Sequence, residues 1–102
     1  MARVGFKMRL KRGNETEYEK RHAEIWPELQ MLLQNTGIRN YTIFRDDLTL
    51  FAYLEIDEPV NLDDLPKNEV MKKWWSYNEP LMECNTDASP VVTILNEVFH
   101  QD

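Results

Sequence analysis

The chain has 102 residues and a net charge of −6; 42% of its residues are hydrophobic and 29% are charged. This composition predicts one globular domain over residues 1–102 and no membrane helix, because no apolar run approaches the roughly 20 residues that a span needs. The negative charge argues against nucleic acid as a partner, and the lack of a glycine-rich loop or a Cys/His cluster excludes phosphate-loop and zinc sites.

The first predicted elements are a strand and an interrupted helix. Residues 3–10, RVGFKMRL, alternate between apolar and polar, which predicts a strand with one apolar face. A helix is predicted to follow Asn14, a residue type that caps helix N-termini. Pro27 disfavours helical geometry at Trp26 but suits the first position of a helix, so we expect a kink near residue 26. Gly37 is predicted to end the second segment in a left-handed conformation.

Strands are predicted over residues 39–45 and 48–57, a second long helix over 67–83 and a last strand over 91–99. The order β-α-β-β-α-β is that of the α+β, ferredoxin-like fold, a four-stranded antiparallel sheet with its helices on one face. The segment LTLFAYLEID is apolar on both faces, which predicts burial of both. In a protein this small, the simplest cover for the second face is another copy of the chain.

Tyr18 and His22 are the first candidate site residues. They are four positions apart and share a helix face. Imidazole titrates near neutrality and suits proton transfer, and the neighbouring Arg21 and Glu24 can tune its pKa. The alternative is a half-buried aromatic pair, or a surface histidine without a role. The predicted kink, which would expose the end of this helix, favours catalysis, whereas His100 in the last residues is expected to be inert.

Aromatic residues form the second candidate group. Trp74 and Trp75 are adjacent, so on a helix their side chains point about 100° apart and cannot both enter one core. One interpretation places one indole in the core and the other at a dimer seam; the other interpretation is a platform for the apolar face of a sugar. Tyr41 is either an ordinary strand residue or the source of a hydroxyl. Asp87 is either a loop cap or a ligand for sugar hydroxyls.

A set of short motifs, in order along nearly the whole chain, resembles the L-rhamnose mutarotase family. The motifs are Tyr18, RH at 21–22, IWPE at 25–28, NY at 40–41, WW at 74–75, and an SP followed by a last strand ending in EVF. The resemblance implies a homodimer with a dimeric α+β barrel, with no metal and no organic cofactor. It implies His22 as the proton donor, and Tyr18, Tyr41, Trp74 and Trp75 as contacts to L-rhamnose or a related small sugar.

The resemblance also implies a cytoplasmic isomerase that interconverts the α and β anomers of L-rhamnopyranose. Cytoplasmic localisation agrees with the single cysteine, Cys84, which suits a reducing compartment, and with an N-terminal stretch lacking the apolar core of a signal peptide. Two alternatives stay open. A cofactor-free oxygenase of the same dimeric α+β barrel class would consume oxygen with an electron-rich phenolic substrate. A non-catalytic small-ligand-binding module would saturate with its ligand without turnover.

Overall fold

The computed structural model describes residues 2–57 and 62–102, and in these ranges four strands and three helices form one α+β architecture. The elements are β1 (Ala2–Arg9), α1 (Glu15–Ala23), α2 (Pro27–Asn35), β2 (Ile38–Asp46), β3 (Thr49–Ile56), α3 (Glu69–Asn78) and β4 (Thr93–Leu95), with 3₁₀ turns at Leu62–Lys67 and Glu79–Leu81. The strands pair antiparallel in the order β2-β3-β1-β4. The predicted ferredoxin-like arrangement is confirmed, and part of the predicted connection before α3, residues 58–61, lies outside the described residues.

The core lies between one face of the sheet and the helices. Strict alternation in β1 and β3 places their even-numbered residues on this face, and the register pairs Met8 with Leu50 and Phe6 with Ala52. Leu50 is 1% exposed, and full burial of such a side chain stabilises a fold by roughly 1.5–3 kcal/mol. Tyr18 of α1 packs into the same cluster. The predicted apolar face of the first strand is therefore the inner face of the sheet.

The outer face of the sheet is open in a single chain. Phe44 of β2 lies opposite Phe51 of β3, and these side chains are 67% and 40% exposed. The prediction that β3 is buried on both faces is therefore not met within one chain, because the helices all pack on the inner face. Within the described residues, no part of the chain covers the outer face, so its burial requires another molecule.

Pro27 separates two helices instead of bending one. The first helix, α1, already ends at Ala23, and Trp26 is extended with φ −64° and ψ 133°. Proline then takes the first position of α2, where its missing N–H leaves no hydrogen bond unmade. Gly37 has the predicted left-handed conformation, with φ 87°. No helix within residues 2–57 and 62–102 is long and apolar enough to cross a membrane.

The structure corrects two details of the predicted helices: α1 begins directly after Asn14, as predicted, but without the side-chain cap, and the second long helix is shorter. The Asn14 side chain makes no capping bond to α1, and its amide instead donates to the Lys11 carbonyl at 3.2 Å. The helix predicted over 67–83 is shorter, because the Asn68 carboxamide caps it by accepting from the Val70 N–H at 2.9 Å. Its last turn gives way to the 3₁₀ turn that contains Pro80, since proline cannot donate to a helical ladder.

The last strand is also shorter than predicted. Pairing with β1 covers Thr93–Leu95 instead of residues 91–99. The residues after β4 have no regular structure, and the apolar side chains of Val98 and Phe99 are exposed. Within a single chain, three residues of the segment VVTILNEVF therefore pair with β1.

Candidate active site

A cavity of about 710 Å³ lies between the inner face of the sheet and the helices, and its walls are mostly apolar. Small-molecule sites typically occupy roughly 300–1,000 Å³, with a few polar groups in an apolar lining. The five residues predicted to form the site come from both long helical regions and from the sheet, and all five line this cavity: Tyr18, His22, Tyr41, Trp74 and Trp75.

His22 is held in one orientation by α1 and α3. Its Nδ1 lies 3.0 Å from the Tyr18 carbonyl oxygen, and because a carbonyl only accepts, Nδ1 carries the hydrogen. The ring stacks on Tyr18 with centroids 4.2 Å apart and meets Trp74 edge-on at 5.3 Å. This arrangement leaves Nε2 as the ring nitrogen that is available for proton transfer.

Burial keeps His22 neutral. Loss of hydration lowers its pKa below the usual value, and the opposing effect of the Tyr18 carbonyl, which raises the pKa, is smaller. The sequence pointed to Arg21 and Glu24 as the groups that tune this histidine, but neither contributes to the shift in pKa. At neutral pH the unprotonated Nε2 is therefore a proton acceptor.

The two tyrosines remain protonated across the physiological range. Tyr18 is 5% exposed, and burial raises the pKa of its phenol. Tyr41 is 39% exposed as a residue, but its hydroxyl end is enclosed, and burial raises the pKa of this phenol to about 12. Each side chain therefore offers the cavity a neutral O–H group, which can both donate and accept a hydrogen bond.

A β-bulge aims Tyr41 into the cavity. Residues 40 and 41 together oppose Leu54, because the register shifts between Arg39 and Thr42, and Asn40 has φ 51°. Tyr41 is three positions after the inward-facing Ile38, so regular alternation would have placed it on the outer face. The sequence predicted that Tyr41 lies on the strand, but it did not predict the bulge. The residue in the sequence that could have indicated the bulge is Asn40, because asparagine is among the few residues enriched in the left-handed conformation.

Trp74 belongs both to the core and to the cavity wall. It is 7% exposed and packs with Leu29 and Met71 in a second apolar cluster. Trp26, the extended residue of the helix break, meets the Trp74 ring edge-on at 5.0 Å. Trp75 is partly exposed and lines the cavity as well. The two adjacent indoles thus differ in burial, and both contribute to the wall.

Arg21 ties the helix that carries the histidine to the end of α3. Its guanidinium lies 3.9 Å from the centroid of the Tyr77 ring and donates to the Tyr77 carbonyl. The same side chain pairs with Glu17 one turn earlier, at 2.7 Å. Such a charged contact to a helix C-terminus is favourable. Arg21 therefore acts on the position of α1 and not on the charge of His22.

Comparison with known proteins identifies the family. The sequence profile of the L-rhamnose mutarotase family matches residues 3–101. This chain belongs to the L-rhamnose mutarotase family. It is 49% identical to an L-rhamnose mutarotase of Bacteroides thetaiotaomicron and 47% identical to one of Lactiplantibacillus plantarum, each over the full length of both chains. The crystal structure of an L-rhamnose mutarotase from Formosa agariphila superimposes with a TM-score of 0.93, at 40% identity and complete coverage of both chains.

In this family member, Asp87 and His100 do not line the cavity. The Asp87 carboxylate accepts from the Ser89 N–H at 3.0 Å and from the Ser89 hydroxyl, which is the loop-cap alternative of the two considered. His100 is exposed and pairs with Asp102 at 2.8 Å. Within residues 2–57 and 62–102, no group of three or more His, Cys, Asp or Glu residues is placed to hold a metal ion.

Proposed function

We propose that this member of the L-rhamnose mutarotase family interconverts the α and β anomers of L-rhamnopyranose, with residues 1–102 acting as one catalytic domain. The observation that carries the proposal is the state of His22. Its Nδ1–H is engaged by a backbone carbonyl, its Nε2 is left for proton transfer, and its ring contacts Tyr18 in an apolar cavity that Tyr41 also lines.

The reaction is a pair of proton transfers around one carbon atom. Ring opening removes the proton of the anomeric hydroxyl, breaks the bond between the anomeric carbon and the ring oxygen, and puts a proton on that oxygen. The open-chain aldehyde then rotates, and the reverse steps close the ring on its other face. Each positioned general acid or base typically contributes about 10²–10⁴-fold. The products contain the same atoms as the substrate, so no further reactant is consumed.

In our mechanism, His22 acts first as the base and then as the acid. A neutral imidazole holds no proton to deliver from Nε2, but it can accept the proton of the anomeric hydroxyl. The imidazolium that forms can return a proton to the ring oxygen, because both oxygens are bonded to the same carbon. Burial favours the return step, since a desolvated imidazolium is the less stable form. His22 is thus the proton donor to the ring oxygen, and its proton comes from the substrate itself.

The other site residues hold the sugar. Tyr18 and Tyr41 donate hydrogen bonds to sugar oxygens or relay hydroxyl protons. Trp74 and Trp75 pack against the apolar side of the sugar, including the rhamnose methyl group. A methyl group in an apolar wall discriminates between substrates by only about 1–3 kcal/mol. We therefore expect related reducing sugars to be accepted at lower rates.

The test is the rate of anomer exchange. NMR saturation transfer between the α and β anomeric protons of L-rhamnose is measured with and without the purified protein. We expect protein-dependent transfer, and a smaller effect with L-mannose, which carries a hydroxymethyl in place of the methyl group. Oxygen uptake with phenolic substrates is measured in parallel, because it tests the oxygenase alternative. If the protein accelerates exchange for neither sugar, the proposal is wrong.

We further propose that two chains form a cytoplasmic homodimer through the outer face of the sheet. Phe44, Phe51 and Leu95 lie on this face and are each 39% exposed or more. Arg3 and Lys7 of the central strand β1 lie on the same face, next to this apolar patch. Exposed apolar patches among polar residues are typical of interfaces between proteins. Face-to-face packing of two sheets would cover it and complete the dimeric α+β barrel that the resemblance implies.

A further inference from the structure

The last residue of α3 is a buried polar residue in the cavity wall. Asn78 follows Trp74 by one helical turn, is 4% exposed, and lines the same cavity as His22. It lies on the buried side of α3 with Met71 and Trp74, where a leucine or methionine would pack without leaving a polar atom to satisfy. A polar side chain at such a position needs a physical reason.

One half of the Asn78 carboxamide is satisfied and the other half is not. Its Nδ2 donates to the Trp74 carbonyl at 3.1 Å. Because that carbonyl only accepts, the bond settles which end of the carboxamide is nitrogen. Within the described part of the chain, the Oδ1 oxygen is buried and has no hydrogen-bond partner. The structure therefore contains an acceptor without a donor in the wall of the site.

An acceptor left in this state destabilises the empty protein, because it has lost its hydrogen bonds to water. Such groups are uncommon in folded proteins, and a role in function is one of the explanations for them. The incoming sugar has the complementary requirement, since its hydroxyl groups also lose water when they enter a mostly apolar cavity. A hydroxyl donor satisfies both partners in one contact.

From this complementarity we propose that Asn78 is a further substrate-binding residue, whose Oδ1 accepts a hydrogen bond from one non-anomeric hydroxyl of the bound sugar. The inference rests on the proposed mutarotase function and adds a specificity contact to it. The Trp74 carbonyl holds the carboxamide nitrogen, so the orientation of the buried oxygen is fixed. Since the ring of Trp74 also contacts His22, one helical segment positions both the acid–base group and the sugar.

The test compares Asn78→Leu with the wild-type protein in two measurements. Removing the acceptor is expected to lower kcat/KM for anomer exchange of L-rhamnose by about 10-fold or more, the usual effect of an unmade hydrogen bond. The same change is expected to raise the melting temperature by a few degrees, since ~1 kcal/mol shifts it by about 4–8 °C in a domain of this size. A lower kcat/KM together with a higher melting temperature is the result expected of an acceptor that serves function.

Substrate analogues identify the hydroxyl. Wild-type protein and Asn78→Leu are compared on L-rhamnose and on its 2-deoxy, 3-deoxy and 4-deoxy analogues. We expect one analogue to have a low kcat/KM with the wild-type protein, and Asn78→Leu to lower kcat/KM for this analogue no further. Leu81→Met is the control, because Leu81 is buried near the end of α3 but does not line the cavity. If Asn78→Leu does not fold, Asn78→Met replaces it, since methionine adapts to irregular sites.

The outcomes separate the two proposals. If the wild-type protein does not exchange L-rhamnose anomers, both proposals fail. If the wild-type protein is active but the apolar variants retain kcat/KM on all four sugars, the mutarotase proposal stands and the role of Asn78 is wrong. A fall in melting temperature with unchanged kcat/KM overturns the role of Asn78 as well, because it marks a purely structural residue.

Discussion

The bulge in β2 gives the sharpest prediction about how the fold builds the site. Asn40 has φ 51°, a conformation that costs most L-residues about 1–2 kcal/mol. A β-branched valine tolerates it least, and it also lacks the amide that donates to Glu55 at 2.9 Å. Asn40→Val therefore penalises the bulge, whereas Asn40→Gly removes the same side chain and accepts the backbone conformation.

The structure indicates which residue would move. Without the bulge, Ile38 and Tyr41 point to opposite faces of the sheet, so one of them must leave the inner face. Ile38 is 5% exposed, and removing such a side chain from the core costs roughly 1.5–3 kcal/mol. Tyr41 is already 39% exposed, and Ile43, which shares its face, is only partly buried, so turning these two residues outward costs less. We expect Asn40→Val to turn Tyr41 out of the cavity and keep the fold.

A double-mutant cycle with Tyr41→Phe measures this coupling. Asn40→Val is expected to lower kcat/KM for anomer exchange about as much as Tyr41→Phe, and to lower it little further when Tyr41→Phe is already present. Asn40→Gly is expected to keep most of the activity. Independent, additive effects of Asn40→Val and Tyr41→Phe would refute the reasoning, as would full activity of Asn40→Val.

Two further predictions concern charge and assembly. Because burial lowers the pKa of His22 and catalysis needs its neutral form, kcat/KM should be flat near neutrality and fall only in acid, with an apparent pKa below the ordinary value of about 6.5. The same shift removes stability as the pH falls from about 6.5 towards the folded-state pKa, since the unfolded chain binds the proton first. Phe51→Glu, on the outer face, should convert the dimer to monomers in light scattering coupled to size-exclusion chromatography; an unchanged mass would contradict the proposed interface. Met31→Glu is the matched control, because Met31 is 63% exposed on α2, on the other side of the sheet.

The sheet was predictable because its order comes from local rules. Alternation in β1 and β3 has a period of two residues, and turn residues separate the strands, so the inner face and the β-α-β-β-α-β order follow from the sequence. The helix break was predictable at Pro27, because proline acts on the residue before it. The end of α1 at Ala23 was not, since the packing of Trp26 against Trp74 depends on tertiary contacts.

The candidate site was predictable in its members but not in its geometry. Helical spacing brought Tyr18 and His22 to one face, but the sequence does not reveal that the Tyr18 carbonyl selects the tautomer of the imidazole. Tyr41 depends on an irregularity in strand pairing, which no periodic pattern encodes. The unpaired oxygen of Asn78 is visible only when every partner of the carboxamide is known.

Saturation transfer with His22→Asn tests the central claim most directly. The variant removes Nε2 from the position of the imidazole while retaining a side chain that can bond to the Tyr18 carbonyl, and His100→Asn is the matched control on the exposed histidine. Since one general acid–base group contributes about 10²–10⁴-fold, we predict that His22→Asn folds and binds L-rhamnose but exchanges its anomers at least about 100-fold more slowly. Exchange at the wild-type rate in His22→Asn would contradict the account.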